Sequence, residues 1–297
     1  MAPDTGLPRA DAQTDFGRAR RQRALSRLSA RLRREPDDVQ LILPYEEVVE
    51  ALGFESERSL GLQTIPLDSI VGTVDRSRDF DRSFRPTSTR VRPRWEDIAL
   101  AQRSGKAMPP IDVYRVGELH FVKDGHHRVS VAGAQGRDTI DAYVTEVTTS
   151  VGPEREIRLG DLPLKSHERL FFERVPLPHD LRPHIRPSNR SAYPYLAEGV
   201  EAWGFRVIQA TGEPLSREQV AERWFHEDYE PVVDMLKEAG ICSHGSETDA
   251  YTAVVTLRYL LLRTHEWDES VLEALREQMR RPSWQDTEIR RLRRSLD

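Results

Sequence analysis

The chain has 297 residues, of which 38% are hydrophobic and 31% charged, and its net charge is −5 at neutral pH. This length suffices for one large domain or two smaller ones, and no apolar run approaches the roughly 18 residues that a membrane helix needs. Cys242 is the sole cysteine, which excludes an intramolecular disulfide and a multi-cysteine zinc site. The N-terminus lacks the apolar block of a secretory signal. We therefore expect a cytoplasmic protein without a membrane partner.

Residues 1–36 are predicted to form a basic N-terminal arm. The segment 18–34 contains eight arginines and no acidic residue. Within it Leu25, Leu28 and Leu32 recur at helical spacing, which predicts an amphipathic helix after an unstructured start of about 15 residues. Such a helix either binds phosphates of a nucleic acid or lies on the domain through its leucines. The arginines that would contact DNA are Arg20, Arg21, Arg23, Arg27 and Arg31.

The segment 37–150 has the element order of an α+β domain. A helix that ends at Gly53 precedes an alternating stretch with Pro66, which an edge strand tolerates. After a charged loop comes a helix that Gly105 closes. A β-hairpin is then indicated by IDVYRV and LHFVK, which flank a Gly-Glu turn. The stretch DGHHRVSVAGAQG predicts a turn and a short helix, and residues 139–147 predict a further strand.

Beyond residue 150 the chain changes character. Residues 151–213 are rich in proline and indicate a connector, with one helix predicted over 165–175, and residues 214–297 indicate a mainly α-helical C-terminal domain. Ser216 and Gln219 are spaced as a capping box at the start of the first helix of that domain. Aromatic residues in this part of the chain either fill a core or form the partner surface of a regulatory module. They are Trp203, Trp224, Trp267, Trp284, Tyr229, Tyr251 and Tyr259.

The turn DGHHR, residues 124–128, is the main candidate for a ligand site. Its glycine permits close backbone approach to an anion, and the helix N-terminus supplies amides and a favourable dipole. Arg128 adds a forked cation, and His126 and His127 add further donors. Asp124 suits a helix cap, a ribose contact or a magnesium contact. Adjacent histidines diverge by about 100° on a helix, so we expect no metal site there. The alternative is that Asp124 caps the helix and the histidines are structural.

A family resemblance rests on the run from IPLDSI through PPIDVYRV and DGHHR to TIDAYVTEV, about 85 residues in this order. It resembles the N-terminal domain of the ParB/sulfiredoxin superfamily, in which the equivalent turn binds the phosphates of CTP, ATP or ADP. The resemblance implies a small mixed sheet with helices and a nucleotide bound with Mg²⁺. It also implies phosphate contacts by Gly125, His126, His127 and Arg128.

Departures from the family separate its known activities. Sulfiredoxins have a G-C-H-R turn whose cysteine does the chemistry, whereas His126 stands at that position here and Cys242 is distant in sequence. Sulfiredoxin activity is therefore not expected. Partition-type members continue with an E-N-x-Q-R segment and a helix-turn-helix, and neither is recognisable in residues 151–297. A clamp on a specific DNA site is not expected either.

A free-serine kinase built on the same domain is a third relative. It uses an acidic residue shortly after the first strand as a general base. The resemblance implies Asp75 in that role, with Arg76 near the phosphates. The alternative is that this loop is merely solvated and salt-bridged.

Three functions follow from the sequence. The favoured one is a nucleotide-binding protein that hydrolyses a nucleoside triphosphate or transfers a phosphate, as an NTPase or a small-molecule kinase. The alternatives are a DNA-binding or chromosome-partitioning accessory protein, and a non-catalytic regulatory module. A homodimer is left open, and the sequence indicates neither the base of the nucleotide nor the acceptor.

Overall fold

The computed structural model describes residues 5–34, 40–75, 78–238 and 246–262, with backbone only for the last six. The chain divides into two compact units, Met1–Arg169 and Leu170–Asp297. The predicted domain boundaries at residues 36, 150 and 213 stay a prediction. Several residues named above lie outside the described residues, and for one of them only the backbone is described. They are Arg76, Cys242, Trp267, Trp284 and the Tyr259 side chain.

The α+β class is confirmed by the elements of the described chain. The helices of the first unit are α1 (Pro8–Leu32), α2 (Tyr45–Leu52), α3 (Arg92–Arg103) and α4 (His126–Ala134), and α5 (Leu162–Arg174) includes the boundary between the units. The strands are β1 (Leu43–Pro44), β2 (Phe54–Pro66), β3 (Ile70–Thr73), β4 (Ile111–Val116), β5 (Leu119–Asp124) and β6 (Thr139–Thr149).

The strands described in the first unit form one mixed sheet in the order β1-β3-β5-β4-β6-β2. β1, β3 and β5 run parallel, β4 is antiparallel to β5 and parallel to β6, and β2 lies antiparallel to β6 at the edge. The predicted hairpin and the edge position of the strand ending in Pro66 are therefore confirmed. Because β3 and β5 are parallel neighbours, Thr73 and Asp124 end their strands at the same edge of the sheet.

One face of the sheet packs against α1, α3 and α4 around Trp95, which is fully buried. Its indole Nε1 donates to the hydroxyl of Ser130 on α4 at 2.8 Å, and its ring meets Phe16 of α1 edge-on at 5.4 Å. Burying an aromatic side chain of this size stabilises a domain by several kcal/mol. Trp95 thus joins three helices in one layer.

The opposite face of the sheet contacts α2. Tyr45, the first residue of α2, stacks on Tyr114 of β4 at 4.5 Å and meets Phe121 of β5 edge-on at 5.7 Å. Burial raises the pKa of Tyr45 to about 12, and Tyr114 and Glu57 add to the shift. The Tyr45 phenol is therefore neutral throughout the physiological range.

The N-terminal helix differs from its prediction in two respects. α1 begins at Pro8, within the stretch expected to be unstructured, and the three leucines of the predicted apolar stripe are each more than half exposed. The expectation that they hold the helix to the domain is wrong. α1 instead packs through Phe16 and through Asp15, whose carboxylate accepts hydrogen bonds of 3.0 and 2.6 Å from Arg103 of α3. A buried ion pair breaks the apolar pattern, so the packed face cannot be read from hydrophobic spacing.

The second unit is helical where it is described. Its helices are α6 (Ala192–Thr211), α7 (Arg217–Trp224), α8 (Glu230–Glu238) and α9 (Glu247–Leu262), with a π-helical turn (Phe225–Tyr229) between α7 and α8. The sequence did not predict α6, because Pro194 in its first turn and two internal glycines are typical of loops. In the part of the chain that the structure describes, no helix has the length and apolarity to cross a membrane.

Two sequence predictions for the second unit are confirmed. Ser216 and Gln219 form the capping box: Gln219 N donates to the Ser216 hydroxyl at 3.3 Å, and Ser216 N donates to the Gln219 side chain at 2.8 Å. Trp224, Tyr229 and Tyr251 fill the core, each at most 3% exposed. These three aromatic side chains do not form a partner surface.

A test of the sheet packing uses Gly72 of β3. A Cβ there would lie 2.2 Å from a ring carbon of Phe121 and 2.6 Å from the backbone oxygen of Leu43. We expect Gly72→Ala to lower the free energy of unfolding by about 2 kcal/mol, because neither neighbour can retreat freely. Gly133→Ala is the control, since a Cβ there meets nothing within 4 Å and alanine gains up to about 1 kcal/mol in a helix. Urea denaturation that ranks the two variants in the reverse order would contradict this packing.

Candidate functional site

The DGHHR turn is built around Gly125. This residue occupies the N-cap of α4 with φ +107°, in the left-handed region, and a Cβ there would lie 2.4 Å from Cγ2 of Ile111. Val129 N donates to the Gly125 carbonyl at 3.0 Å, which is the first hydrogen bond of the helix. The amides of residues 126–128 have no acceptor within the helix, as at every helix N-terminus. Only glycine satisfies both the torsion and the contact.

Asp124 does not cap α4, since no side chain caps this helix. Its carboxylate instead accepts a hydrogen bond from the guanidinium of Arg128. The same guanidinium donates to the carbonyls of Pro109, at 2.8 Å, and Pro110. Arg128 therefore holds the start of β4 against the turn, and its side chain is only 12% exposed. Two of its five N–H donors have no acceptor among the described residues.

His126 and His127 lie in the interior, at 5% and 6% exposed. The His126 Nε2 is 2.6 Å from the hydroxyl of Thr73, and the rings of both histidines contact Phe80, with centroids 6.4 and 5.3 Å away. The imidazoles thus attach the turn to β3 and to the loop after it. Phosphate contact by their side chains stays a prediction, and their backbone amides belong to the helix N-terminus in any case.

Asp75 lies at the same edge of the sheet as the turn. Its backbone N donates to the Thr73 hydroxyl at 3.3 Å, and that hydroxyl also contacts His126, so one threonine connects the two predicted parts of the site. The Asp75 residue is exposed. Its neighbour Asp81 is 5% exposed and accepts hydrogen bonds from Ser83 and from the backbone and side chain of Arg85. Asp81 organises the loop, whereas Asp75 faces solvent.

No three His, Cys, Asp or Glu side chains in the described ranges are grouped so that they could hold a metal ion. A cation at this edge would have to be held by bound phosphates together with one or two carboxylates, which is the usual way proteins hold Mg²⁺.

The arginines of α1 separate into two kinds. Arg23 is half-buried, 3.7 Å from Asp81, and burial lowers its pKa while Asp81 opposes the shift. It attaches α1 to the loop that follows β3. The others in the predicted DNA-contacting set are exposed: Arg20, Arg21, Arg27 and Arg31. Arg20 and Arg21 also line a pocket of about 380 Å³ with Arg92.

Comparison with known proteins does not identify a family for the chain. No family model matches the chain, and no curated protein matches it. Among solved structures, sulfiredoxin from Arabidopsis thaliana is similar, with 22% sequence identity, a TM-score of 0.23, and coverage of 29% of this chain and 86% of that one. The likeness is distant and concerns a minority of this chain.

Sequence reasoning missed Thr73, which contacts both His126 and Asp75. The available signal was a threonine at the end of the apolar strand sequence IVGT. In the structure Thr73 is fully buried, at 0% exposed. A buried polar group at the carboxyl end of a strand has to find a partner at that edge, but the partner is 53 residues away in the sequence.

We expect Thr73→Val to lower the free energy of unfolding by about 1–3 kcal/mol, because the Nε2 of the buried His126 loses the hydroxyl as its hydrogen-bond partner. Thr64→Val is the matched control: Thr64 is on β2 and its hydroxyl donates to Asp141 at an exposed position. That variant should change stability by less than about 0.5 kcal/mol. Equal effects in thermal denaturation would show that the buried contact contributes nothing specific.

Proposed function

We propose that the chain binds a nucleoside triphosphate with Mg²⁺ at the sheet edge formed by Thr73 and Asp124, and hydrolyses it or transfers its terminal phosphate. The main support is Gly125, held in the left-handed region at the N-cap of α4 and packed on Ile111. The likeness of DGHHR to the phosphate-binding turn of the ParB/sulfiredoxin superfamily supports the same ligand class. CTP and ATP are the triphosphates that this likeness favours, and ADP is a diphosphate that it favours as well.

The phosphates would bind at the N-terminus of α4. The amides there and the helix dipole favour negative charge, and the bare Cα of Gly125 lets an oxygen approach closely. Arg128 would contribute the two N–H donors that Asp124, Pro109 and Pro110 leave unused. Its position is fixed by those three partners, so little entropy is lost when a phosphate binds.

The carboxylates at this edge suit a magnesium ion held mainly by the nucleotide. Asp75 is exposed, and the Asp124 side chain is 63% exposed, so both are accessible to a phosphate-bound cation. Magnesium would supply charge neutralisation on the phosphate oxygens. Asp124 also neutralises the charge of Arg128, whereas Asp75 is the candidate general base that accepts a proton from the attacking hydroxyl. The attacking group is water in hydrolysis and a small hydroxyl compound in transfer.

The binding test is calorimetry of CTP, ATP, ADP and GTP with Mg²⁺ against the full chain and against Arg128→Gln. We expect one or more nucleotides to bind and the variant to weaken that binding at least about ten-fold, as expected for a charge-assisted hydrogen bond. Arg137→Gln is the control, because Arg137 is exposed just after the other end of α4. Absence of binding by every nucleotide, or equal losses in both variants, would contradict the proposal.

Turnover is tested separately with Asp75→Asn. The variant should still bind nucleotide, because Asp124 and the phosphates remain to hold the cation. It should release or transfer phosphate about 10²–10⁴ times more slowly, the usual contribution of a general base. Phosphate release is measured with and without added serine. If Asp75→Asn is as active as the unaltered chain, Asp75 is not the base. Unfolding curves without ligand show whether each variant is folded.

DNA binding is a second candidate, favoured by the exposed arginines of α1. Arg20, Arg27 and Arg31 are spaced by seven and four residues and therefore share one helix face. Guanidinium groups in such a row suit the phosphates of a duplex without reading its sequence. If neither nucleotide nor DNA binds, the non-catalytic regulatory module is the remaining proposal.

For DNA binding, fluorescence anisotropy with duplex DNA should give a linear fall of log K with log salt. Replacing Arg20, Arg27 and Arg31 by glutamine should reduce that slope by about 0.9 for each phosphate that the variant no longer neutralises. Arg137→Gln again serves as the exposed control. A slope that the triple variant leaves unchanged would exclude α1 as the DNA-binding element.

A further inference from the structure

A second concavity lies at the other end of the same strands. This pocket has a volume of about 610 Å³ and is lined by residues at the amino ends of β3 and β5 and at the β4–β5 turn, among them Val71, Leu119 and Gly117. At about 3.3 Å per residue, its His120 is roughly 17 Å from Gly125 along β5. The pocket is therefore distinct from the DGHHR turn. Its volume is in the usual range for small-molecule sites.

Two arginines of the pocket have no ion-pair partner in the part of the chain that the structure describes. Arg82 and Arg158 both line it, and neither has a carboxylate within ion-pair distance among the described residues. Arg82 donates to the carbonyl of Ile157 at 2.8 Å, which fixes its guanidinium. Burial lowers the pKa of Arg82, and the charge of Arg158 lowers it further, so the two cations are close enough to repel each other. An anion between them would turn this repulsion into attraction.

The carboxylates of the pocket do not neutralise that pair. Asp68 is 3.4 Å from Arg155, and both side chains are more than two-thirds exposed. Glu118 and Glu156 also line the pocket, and both are exposed and form no ion pair with Arg82 or Arg158 among the described residues. Arg115 is bonded to Glu146, yet its Nε is buried and has no acceptor among the described residues.

His120 adds an acceptor whose tautomer can be deduced. Its Nδ1 is 2.9 Å from the hydroxyl of Ser69, and that hydroxyl, which has a single proton, donates to the carbonyl of Pro66 at 2.6 Å. The His120 Nδ1 must therefore carry the proton and donate, which leaves a lone pair on Nε2. Burial, with a smaller contribution from Arg115, lowers the pKa of His120 to about 4, so the ring is neutral at physiological pH.

The Nε2 of His120 is the second feature that points to a ligand. The residue is only 6% exposed and lines the pocket, and Nε2 is buried without a hydrogen-bond partner in the described chain. A buried acceptor without a donor is costly and is rarely retained in a fold. A ligand that satisfies it must bring a hydroxyl or an N–H group.

We propose that this pocket binds a phosphate monoester of a hydroxylated small molecule, such as a polyol or sugar phosphate. The phosphate lies between Arg82 and Arg158 and accepts from Arg115, and a ligand hydroxyl donates to Nε2 of His120. Three guanidinium groups suit the several oxygens of a phosphate better than the two of a carboxylate. The proposal does not depend on nucleotide binding at the DGHHR turn.

The test is calorimetric titration of the full chain with glycerol 3-phosphate and with methyl phosphate, which lacks the hydroxyls. We expect glycerol 3-phosphate to bind about two- to ten-fold more tightly, the contribution of one hydrogen bond. Arg158→Gln should weaken both ligands about ten-fold or more. Arg155→Gln is the matched control, because Arg155 lines the same pocket but is exposed and paired with Asp68.

Two further variants separate the hydroxyl contact from the phosphate contact. His120→Phe should remove the preference for glycerol 3-phosphate while leaving methyl phosphate binding unchanged. If that variant fails to fold, Ser69→Ala is used instead, since it removes the hydrogen bond that fixes the tautomer of His120. Absence of binding by both ligands would overturn the proposal, as would equal losses in Arg155→Gln and Arg158→Gln. Arg128→Gln should leave both affinities unchanged, which distinguishes this pocket from the DGHHR turn.

Discussion

The contact between Gly125 and Ile111 is the constraint on which the carboxyl edge of the sheet depends. With a Cβ position only 2.4 Å from Cγ2 of Ile111 and φ at +107°, residue 125 has to be glycine. This close approach lets α4 begin immediately after β5, and it brings Arg128 onto the carbonyls that precede β4. The helix N-terminus is therefore fixed by packing and by hydrogen bonds, so its amides keep one orientation. A preorganised set of donors binds an anion at lower entropic cost than a mobile loop.

Polar contacts in the interior extend that constraint to the neighbouring elements. His126 joins the turn to Thr73 of β3, and Trp95 of α3 donates to Ser130, one turn further along α4. A short helix of nine residues is marginal by itself. These two hydrogen bonds attach α4 to its neighbours at the first and the fifth residue of the helix. Because each bond needs one partner geometry, they favour a single position of the helix on the sheet.

Local signals made part of this structure predictable. The hairpin around Gly117, the helix that ends at Gly53 and the capping box at Ser216 each depend on a few adjacent residues, and each is confirmed. The face on which α1 packs was hidden by the Asp15–Arg103 pair, because a buried charge breaks the apolar period that sequence reading relies on. The sequence was sufficient to predict the DGHHR turn and to name its candidate residues. Its internal contacts were not, since they join positions that only the fold brings together.

The two ends of β5 offer different environments to an anion. At Asp124 the positive charge comes from backbone amides and from an arginine already paired with a carboxylate. At His120 it comes mainly from Arg82 and Arg158, which have no carboxylate within ion-pair distance among the described residues. The separation of the two ends, roughly 17 Å along the strand, exceeds the Debye length of about 8 Å at physiological salt. Charge on exposed groups at one end is therefore largely screened from exposed groups at the other. Any coupling between ligands at the two ends would have to pass through the backbone of β5, which is hydrogen-bonded on both sides by β3 and β4 and is among the least deformable elements of the sheet.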